Sequence, residues 1–161
     1  MTRAYRIYMD VCCLNRPFDS WQQDRVRFEG EAVLAILRRV QTREWQLISS
    51  EAIEAELDRL PNREKLENIR QLLNLATAFV TLDEVINRRS QELESWGFGL
   101  YDSFHLACAE AIAADILLTT DQRLIKRGLR YRDQIQVRLN NPILWLVDVL
   151  STDEEQDDDT N

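Results

Sequence analysis

The sequence predicts an α/β protein of three layers, α/β/α, with a central parallel sheet of four to five strands. Three observations predict it. Short apolar runs alternate with stretches of helical period along the chain, and strands alternating with helices build a parallel sheet covered on both faces. A length of 161 residues suits one domain and leaves little room for a second. Hydrophobic residues make up 45 % and charged residues 30 %, which lets the chain bury a core beneath a solvated surface.

Each element has a local reason. Tyr5 to Met9 reads as a short strand that ends at Asp10, and a loop follows over Asn15-Arg16-Pro17-Phe18-Asp19. From about Gln22 to Arg43, Val26, Val33, Ile36, Leu37 and Val40 recur at helical spacing. Gln46 to Ser49 makes a second strand. Ser50 is a capping residue for a helix through Leu57, and Pro61-Asn62 breaks that helix. Arg63 to Leu75 is amphipathic at the same period. Ala78 to Leu82 is a third strand, with Asp83 capping a helix that ends near Trp96. After the Gly97-Phe98-Gly99 loop, Asp102 opens a helix rich in small residues (Ala107, Cys108, Ala109, Ala111, Ala113, Ala114), suited to close packing at the centre. Ile116 to Thr119 is a fourth strand, with Asp121 just past it. Ile135 to Leu139 is a short fifth strand, and Asn141-Pro142 starts a last helix through Leu150.

The formal net charge of −8, from 20 basic and 28 acidic residues, argues at first against a nucleic-acid partner. Its distribution narrows that argument. Ser151 to Asn161 holds six acids and no base, so residues 1–150 carry 20 bases against 22 acids. Residues 1–150 therefore read as the domain, and 151–161 as an acidic tail whose composition predicts disorder. Arginine supplies 18 of the 20 bases, and its planar fork suits phosphate. No stretch approaches the ~20 apolar residues of a membrane span. Met1 to Met9 lacks the apolar run of a signal peptide. The three cysteines, Cys12, Cys13 and Cys108, are an odd set with two adjacent, which argues against a disulfide framework. A cytoplasmic protein with no membrane partner is expected.

In an open parallel sheet, ligands bind beyond the carboxyl ends of the strands, where the strand order reverses. Asp10 lies at the end of the first strand, Glu56 in the helix after the second, Asp102 at the opening of the helix before the fourth, and Asp121 past the fourth. If the first and fourth strands are neighbours, Asp10, Asp102 and Asp121 converge at one crevice, with Glu56 approaching from its helix. Converging carboxylates repel and call for a cation. Oxygen ligands select Mg²⁺ or Mn²⁺, and a pair of such ions can generate hydroxide and stabilise the departing oxygen of a phosphodiester. Taken singly, Asp102 and Asp121 read equally as helix caps, and Glu56 as part of a solvated face with Glu51, Glu54 and Asp58.

The motifs that carry these acids resemble the PIN-domain family, and within it the toxin-like, VapC-type nucleases of prokaryotic toxin–antitoxin operons. The resemblance rests on Tyr8-Met9-Asp10, on Ser50 followed by Glu56-Leu57, on Tyr101-Asp102-Ser103-Phe104-His105-Leu106-Ala107-Cys108-Ala109, and on Leu118-Thr119-Thr120-Asp121. It covers nearly all of residues 4–150 and implies a PIN-like nuclease domain. It also implies Mg²⁺- or Mn²⁺-dependent endoribonuclease activity, with Asp10, Glu56, Asp102 and Asp121 as the catalytic acids. Asp10 and Asp121 would hold the principal ion, Asp102 and Glu56 would complete the site directly or through water, and the products would carry a 5′-phosphate and a 3′-hydroxyl. An RNA substrate, an antitoxin protein and a homodimer are the implied partners. Two positions depart from the family pattern: Cys12 stands where Ser or Asn is frequent, and Gln122-Arg123 stand where many members carry a further acid.

Further residues have two readings each. Asn15 and Arg16 contact RNA phosphate, or Asn15 and Asp19 stabilise a turn. Thr120 positions phosphate or a metal-bound water beside Asp121, or is a strand residue, as Thr119 is taken to be. His105 lies one helical turn from Asp102 and is either a ligand or, more simply, a packed residue with one hydrogen bond. Cys12 and Cys13 diverge on an extended chain and are read as packed thiols. Trp96, Phe98 and Tyr101 make a stacking platform for bases, or belong to the core or a dimer interface. A dehalogenase-type phosphatase would need an acid where Cys12 stands. A receiver domain would need an acidic pair at the first strand and a late Lys, and no glycine-rich nucleotide motif is present. The non-enzymatic alternative is an inactive PIN-like binding or scaffold protein.

Overall fold

The structure is a computed structural model and describes residues 3–159. Five strands, β1 (Arg6–Met9), β2 (Gln46–Ser50), β3 (Ala78–Val80), β4 (Ile116–Leu118) and β5 (Leu139–Asn140), form one all-parallel sheet in the order β3-β2-β1-β4-β5. The helices α1 (Val11–Asn15), α2 (Asp24–Gln41), α3 (Glu51–Leu57), α4 (Arg63–Leu73), α5 (Glu84–Ser95), α6 (Leu100–Ala111), α7 (Gln122–Arg130) and α8 (Pro142–Asp158) cover it, giving the expected three-layer α/β arrangement. Because the chain runs outward from β1 to β3 and then returns to place β4 beside β1, the order reverses between β1 and β4. These two strands are wholly apolar apart from Arg6 and Tyr8, as strands buried on both faces require, and Ile7, Tyr8, Met9, Leu117 and Leu118 have no solvent exposure.

Caps set the boundaries where the sequence placed them. Ser50 Oγ accepts from Ile53 N–H at 3.1 Å, Asn62 Oδ1 from Lys65 N–H at 3.1 Å, and Asp83 Oδ1 from Ile86 N–H at 2.8 Å. Pro142 occupies the first turn of α8 behind the Asn141 cap.

Five local expectations are corrected. The segment after Asp10 is a helix, α1, followed by a 3₁₀ turn over Arg16–Phe18, because Asp10 caps α1 and Pro17 presets the turn. Asp102 does not open α6: Gly99 is the cap residue, so Asp102 sits within the first turn. Helix α7 has no counterpart among the sequence expectations. The fifth strand is Leu139–Asn140 rather than 135–139, since Ile135 N–H bonds back to Tyr131 O and pairing with β4 begins at Arg138 O. Finally, α8 runs to Asp158, so the acidic segment expected to be disordered is helical that far. Its residues Ser151 and Thr152 bond back to the Val147 and Asp148 carbonyls, and Glu and Gln are competent helix formers. The end of the tail, 160–161, lies outside the described residues.

One buried polar cluster ties the ends of the domain together. Glu29 is fully buried on α2, and its carboxylate accepts from Arg16 Nε at 3.0 Å and from the Asn141 amide. Arg25 Nε stands 3.5 Å from it. Glu29→Ala removes the acceptor of all three donors at once. Loss of one member of such a buried group costs about 3 kcal/mol or more, so urea denaturation should show the variant destabilised by about that amount, with Glu29→Gln recovering part of it. A change below ~1 kcal/mol would mean the cluster is not holding α2 to α8.

Candidate functional site

The site forms at the β1/β4 reversal, at the carboxyl edge of the sheet. Asp10 follows β1 directly and is 4 % exposed. Its Oδ1 caps α1, accepting from Cys13 N–H at 3.0 Å, and the Cys12 thiol donates to the same oxygen at 3.1 Å. Burial raises the Asp10 pKa, and hydrogen bonds from Thr119, Cys12 and the Cys13 amide partly offset that rise. Asp121 follows β4 and caps α7. Its Oδ1 accepts from Arg123 N–H at 2.9 Å and Leu124 N–H at 3.3 Å, and the residue is exposed. The capping reading and the site reading are therefore compatible, because each cap engages one carboxylate oxygen and a carboxylate offers about four lone-pair positions.

Asp102, in the first turn of α6, feels the charge of both. Its pKa is raised to about 6, first by burial and then by the charge of Asp10, with Asp121 and Glu56 adding to the rise and His105 opposing it. No Arg or Lys is among the largest influences on Asp102 or Asp10. Three carboxylates from three separate elements thus act on a fourth. That field is the repulsion expected of acids gathered at one place. Among the described residues, no three His, Cys, Asp or Glu side chains are arranged to hold one ion together. The donors are nonetheless hard oxygens lacking a resident cation, and Mg²⁺ takes one or two carboxylates with several waters rather than a full protein cage. The residues present fit such an ion.

Glu56 is reached through a chain of hydrogen bonds in which Tyr8 was not anticipated. His105, 2 % exposed, places Nε2 2.8 Å from Glu56 Oε2 and Nδ1 2.7 Å from the Tyr8 hydroxyl. That hydroxyl also lies 2.6 Å from Ser50 Oγ. A hydrogen-bond assignment that serves all of them has Nε2 donating to Glu56, Nδ1 accepting from Tyr8, and Ser50 donating to Tyr8. Ser50 Oγ still accepts the Ile53 amide, so every member of the chain is satisfied. His105 is therefore a packed residue, with two hydrogen bonds rather than one, and it links Glu56 to the sheet. The period-2 strand signal hid Tyr8. A hydroxyl within the otherwise apolar run Ile7-Tyr8-Met9 was the available clue.

The other expected residues are placed as follows. Asn15 Nδ2 donates to Asp19 Oδ1 at 2.8 Å, while Arg16 pairs with Asp19 at 2.9 Å and with Glu29. Both side chains are thus engaged by neighbouring acids. Thr120 donates to Cys12 Sγ at 3.3 Å, and Thr119 Oγ1 accepts the Asp121 amide at 3.1 Å. Cys13 is buried, but Cys12 is exposed, its thiol among Asp10, Thr119 and Thr120. Trp96 stacks on Tyr131 with ring centroids 5.3 Å apart, Phe98 is buried, and Arg59 lies over Tyr101. These three rings face protein partners rather than forming one open platform.

Comparison with known proteins bears on the fold. No family model matches the chain, and no curated protein matches it. Solved structures do. A structure of VapBC2 from Rickettsia felis, bound to a DNA fragment from their promoter, aligns with a TM-score of 0.52 and 14 % identity over 84 % of this chain and 98 % of that one. A structure of PAE2754 from Pyrobaculum aerophilum aligns with a TM-score of 0.52 and 14 % identity over 93 % and 92 %. At this identity the likeness is one of fold, and the fold is PIN-like, as the motifs implied.

The raised pKa of Asp102 has a measurable consequence. Its folded value of about 6 lies above the ordinary 3.8. Between those values the folded chain binds more protons than the unfolded chain, so stability falls as pH rises through this window. Metal-free protein should therefore melt at a higher temperature near pH 5 than the acid cluster allows at pH 7. Asp102→Asn should reduce that pH dependence, leaving the share of Asp10, whose pKa is also raised, and be the more stable protein at pH 7. Parallel calorimetric profiles for the two proteins would show that the Asp102 carboxyl is not raised by its burial and its neighbours.

Proposed function

We propose that this PIN-like chain is a Mg²⁺- or Mn²⁺-dependent endoribonuclease and the toxin of a toxin–antitoxin pair, working in the cytoplasm. The observation that carries the reading is that Asp10, Asp121 and Glu56 all act on Asp102, with no Arg or Lys among the largest influences on Asp102 or Asp10. Support for the toxin role comes from fold likeness to a VapBC2 complex. An antitoxin partner and a homodimer belong to the same proposal. Among the described residues, no helix is long and apolar enough to cross a membrane.

In this reading Asp10 and Asp121 hold the principal ion, and Asp102 and Glu56 complete the acidic site. When bound, the ion polarises a phosphate oxygen and makes water nucleophilic at neutral pH. The chain's own contribution is positional. The caps on α1 and α7 fix the rotamers of Asp10 and Asp121. His105, itself fixed by Tyr8, holds Glu56 at the rim, where its carboxylate can accept a proton from attacking water. Hydrolysis then leaves a 5′-phosphate and a 3′-hydroxyl. The inactive-scaffold alternative draws on one observation, that Asp10 and Asp121 already serve as caps.

The two are separated by Asp10→Asn. Asparagine caps a helix as well as aspartate does, so the fold should survive while a charged ligand is lost. RNA cleavage with Mn²⁺ should fall on the order of 10³-fold, and chelator should abolish it in the wild type. Equal cleavage by both proteins would remove Asp10 from the site. Absence of both cleavage and calorimetric Mn²⁺ binding in the wild type would favour the scaffold. Tyr8→Phe tests the relay to Glu56. Loss of one hydrogen bond of about 1.4 kcal/mol corresponds to about a tenfold drop in kcat, with Mn²⁺ affinity unchanged; an unchanged kcat would make the relay purely structural.

A further inference from the structure

Helix α7 carries Arg123, Lys126, Arg127 and Arg130 and no acid. They stand at i, i+3, i+4 and i+7, which at 3.6 residues per turn confines all four to an arc of about 100°. Leu124 and Gly128 turn the other way and are buried. Arg127 is tethered, its Nη1 donating to Trp96 O at 3.3 Å and lying against Gly97, whose positive φ and lack of a Cβ leave the space for it. Arg123, Lys126 and Arg130 are exposed, and among the described residues no acid pairs with them. Several arginines elsewhere are paired with acids: Arg16 with Asp19 and Glu29, Arg70 with Glu54 and Asp58, Arg88 with Glu84, Arg89 with Glu92 and Glu110. On α7 three exposed bases without an acidic partner share one face of one helix.

Their position gives them a role. Helix α7 begins immediately after Asp121, so the stripe starts at the acidic site and runs away from it. Neighbours three or four apart are about 5–6 Å from one another, and the stripe from Arg123 to Arg130 is about 10 Å long, room for about two or three backbone phosphates. We propose that α7 is the track on which the sugar–phosphate backbone of single-stranded RNA lies as it enters or leaves the acidic cleft. The inference rests on the ribonuclease reading and adds where the substrate is gripped. Because Trp96, Phe98 and Tyr101 are engaged by protein, the grip is one of charge rather than base stacking, so affinity should depend strongly on salt and weakly on base sequence.

The test measures binding of a labelled single-stranded RNA 12-mer to the full chain bearing Asp10→Asn, in chelator, by fluorescence anisotropy across a salt series. It is repeated with R123A/K126A/R130A added, and with R38A/R43A/R88A as a control of equal charge change. Three lost phosphate contacts should reduce the slope of log K against log salt by about 2 and weaken binding at least about tenfold at low salt, with the control near the parent. Equal effects of both triples, or no change in slope with the stripe triple, would overturn the track. Poly-L-glutamate bound as tightly as RNA would assign the stripe to an acidic protein instead. Circular dichroism melting verifies that the triples fold. If wild type cleaves RNA with Mn²⁺ while the stripe triple keeps the parent's slope, only the track fails; if wild type neither binds nor cleaves RNA, the nuclease reading fails with it.

Discussion

The parallel pairing of β1 with β4, Ile7 to Met9 against Ile116 to Leu118, is what brings the acids of distant segments together. Asp10 N–H donates to Leu118 O at 3.2 Å, so the ladder extends to the first acid itself. Closing so long a loop costs only slightly more than closing a short one, because loop entropy grows with the logarithm of length. The cost is met by strands buried on both faces, with Ile7, Met9, Leu117 and Leu118 wholly inside. Once those strands are side by side, the chain must turn at both carboxyl ends, and each turn is taken by an aspartate. Shifting β4 by one residue against β1 would move Asp121 relative to Asp10. The pairing register of the two strands therefore sets how the acids meet.

The caps offset part of the repulsion in such a site. An aspartate at a helix N-terminus meets unpaired backbone N–H groups and the positive end of the helix dipole. Asp10 on α1 and Asp121 on α7 both have this compensation. Asp102 has less. It lies inside the first turn of α6 without a capping bond, and burial together with the charge of Asp10 raises its pKa to about 6. The acid with the fewest donors thus has little to offset its burial and its neighbours. Glu56 is engaged by a third device, the ring of His105, itself held by Tyr8 and, through it, Ser50.

Much of this was legible in the sequence, for identifiable reasons. Ser50, Asn62 and Asp83 are short polar residues ahead of periodic segments, so their helices start as expected. Asp10, Asp102 and Asp121 could be placed at a common edge because strand ends are marked by the change from apolar to polar. Helix α7 was not legible: its nine residues show a strong basic stripe but only Leu124, Ile125 and Leu129 to mark an apolar period, and it buries little beyond Leu124 and Gly128. Arg16 resembled a phosphate ligand, but its true partner, Glu29, is thirteen residues away on another helix. The Tyr8–His105–Glu56 chain joins three elements, and no local pattern encodes a contact of that kind.

The net charge of −8 gains a different meaning from these placements. Six acids lie in the last eleven residues, and four more face the acidic site. Most of the remaining acids are used against arginines, as Glu29, Glu54, Glu84 and Glu110 are. What the surface presents to a partner is then set by the bases left over, and α7 leaves three in a row. That stripe begins immediately after Asp121. Strong overall negative charge is therefore compatible with the RNA track proposed for α7, because what a polyanion senses at short range is the local grouping of bases and not the sum over the chain.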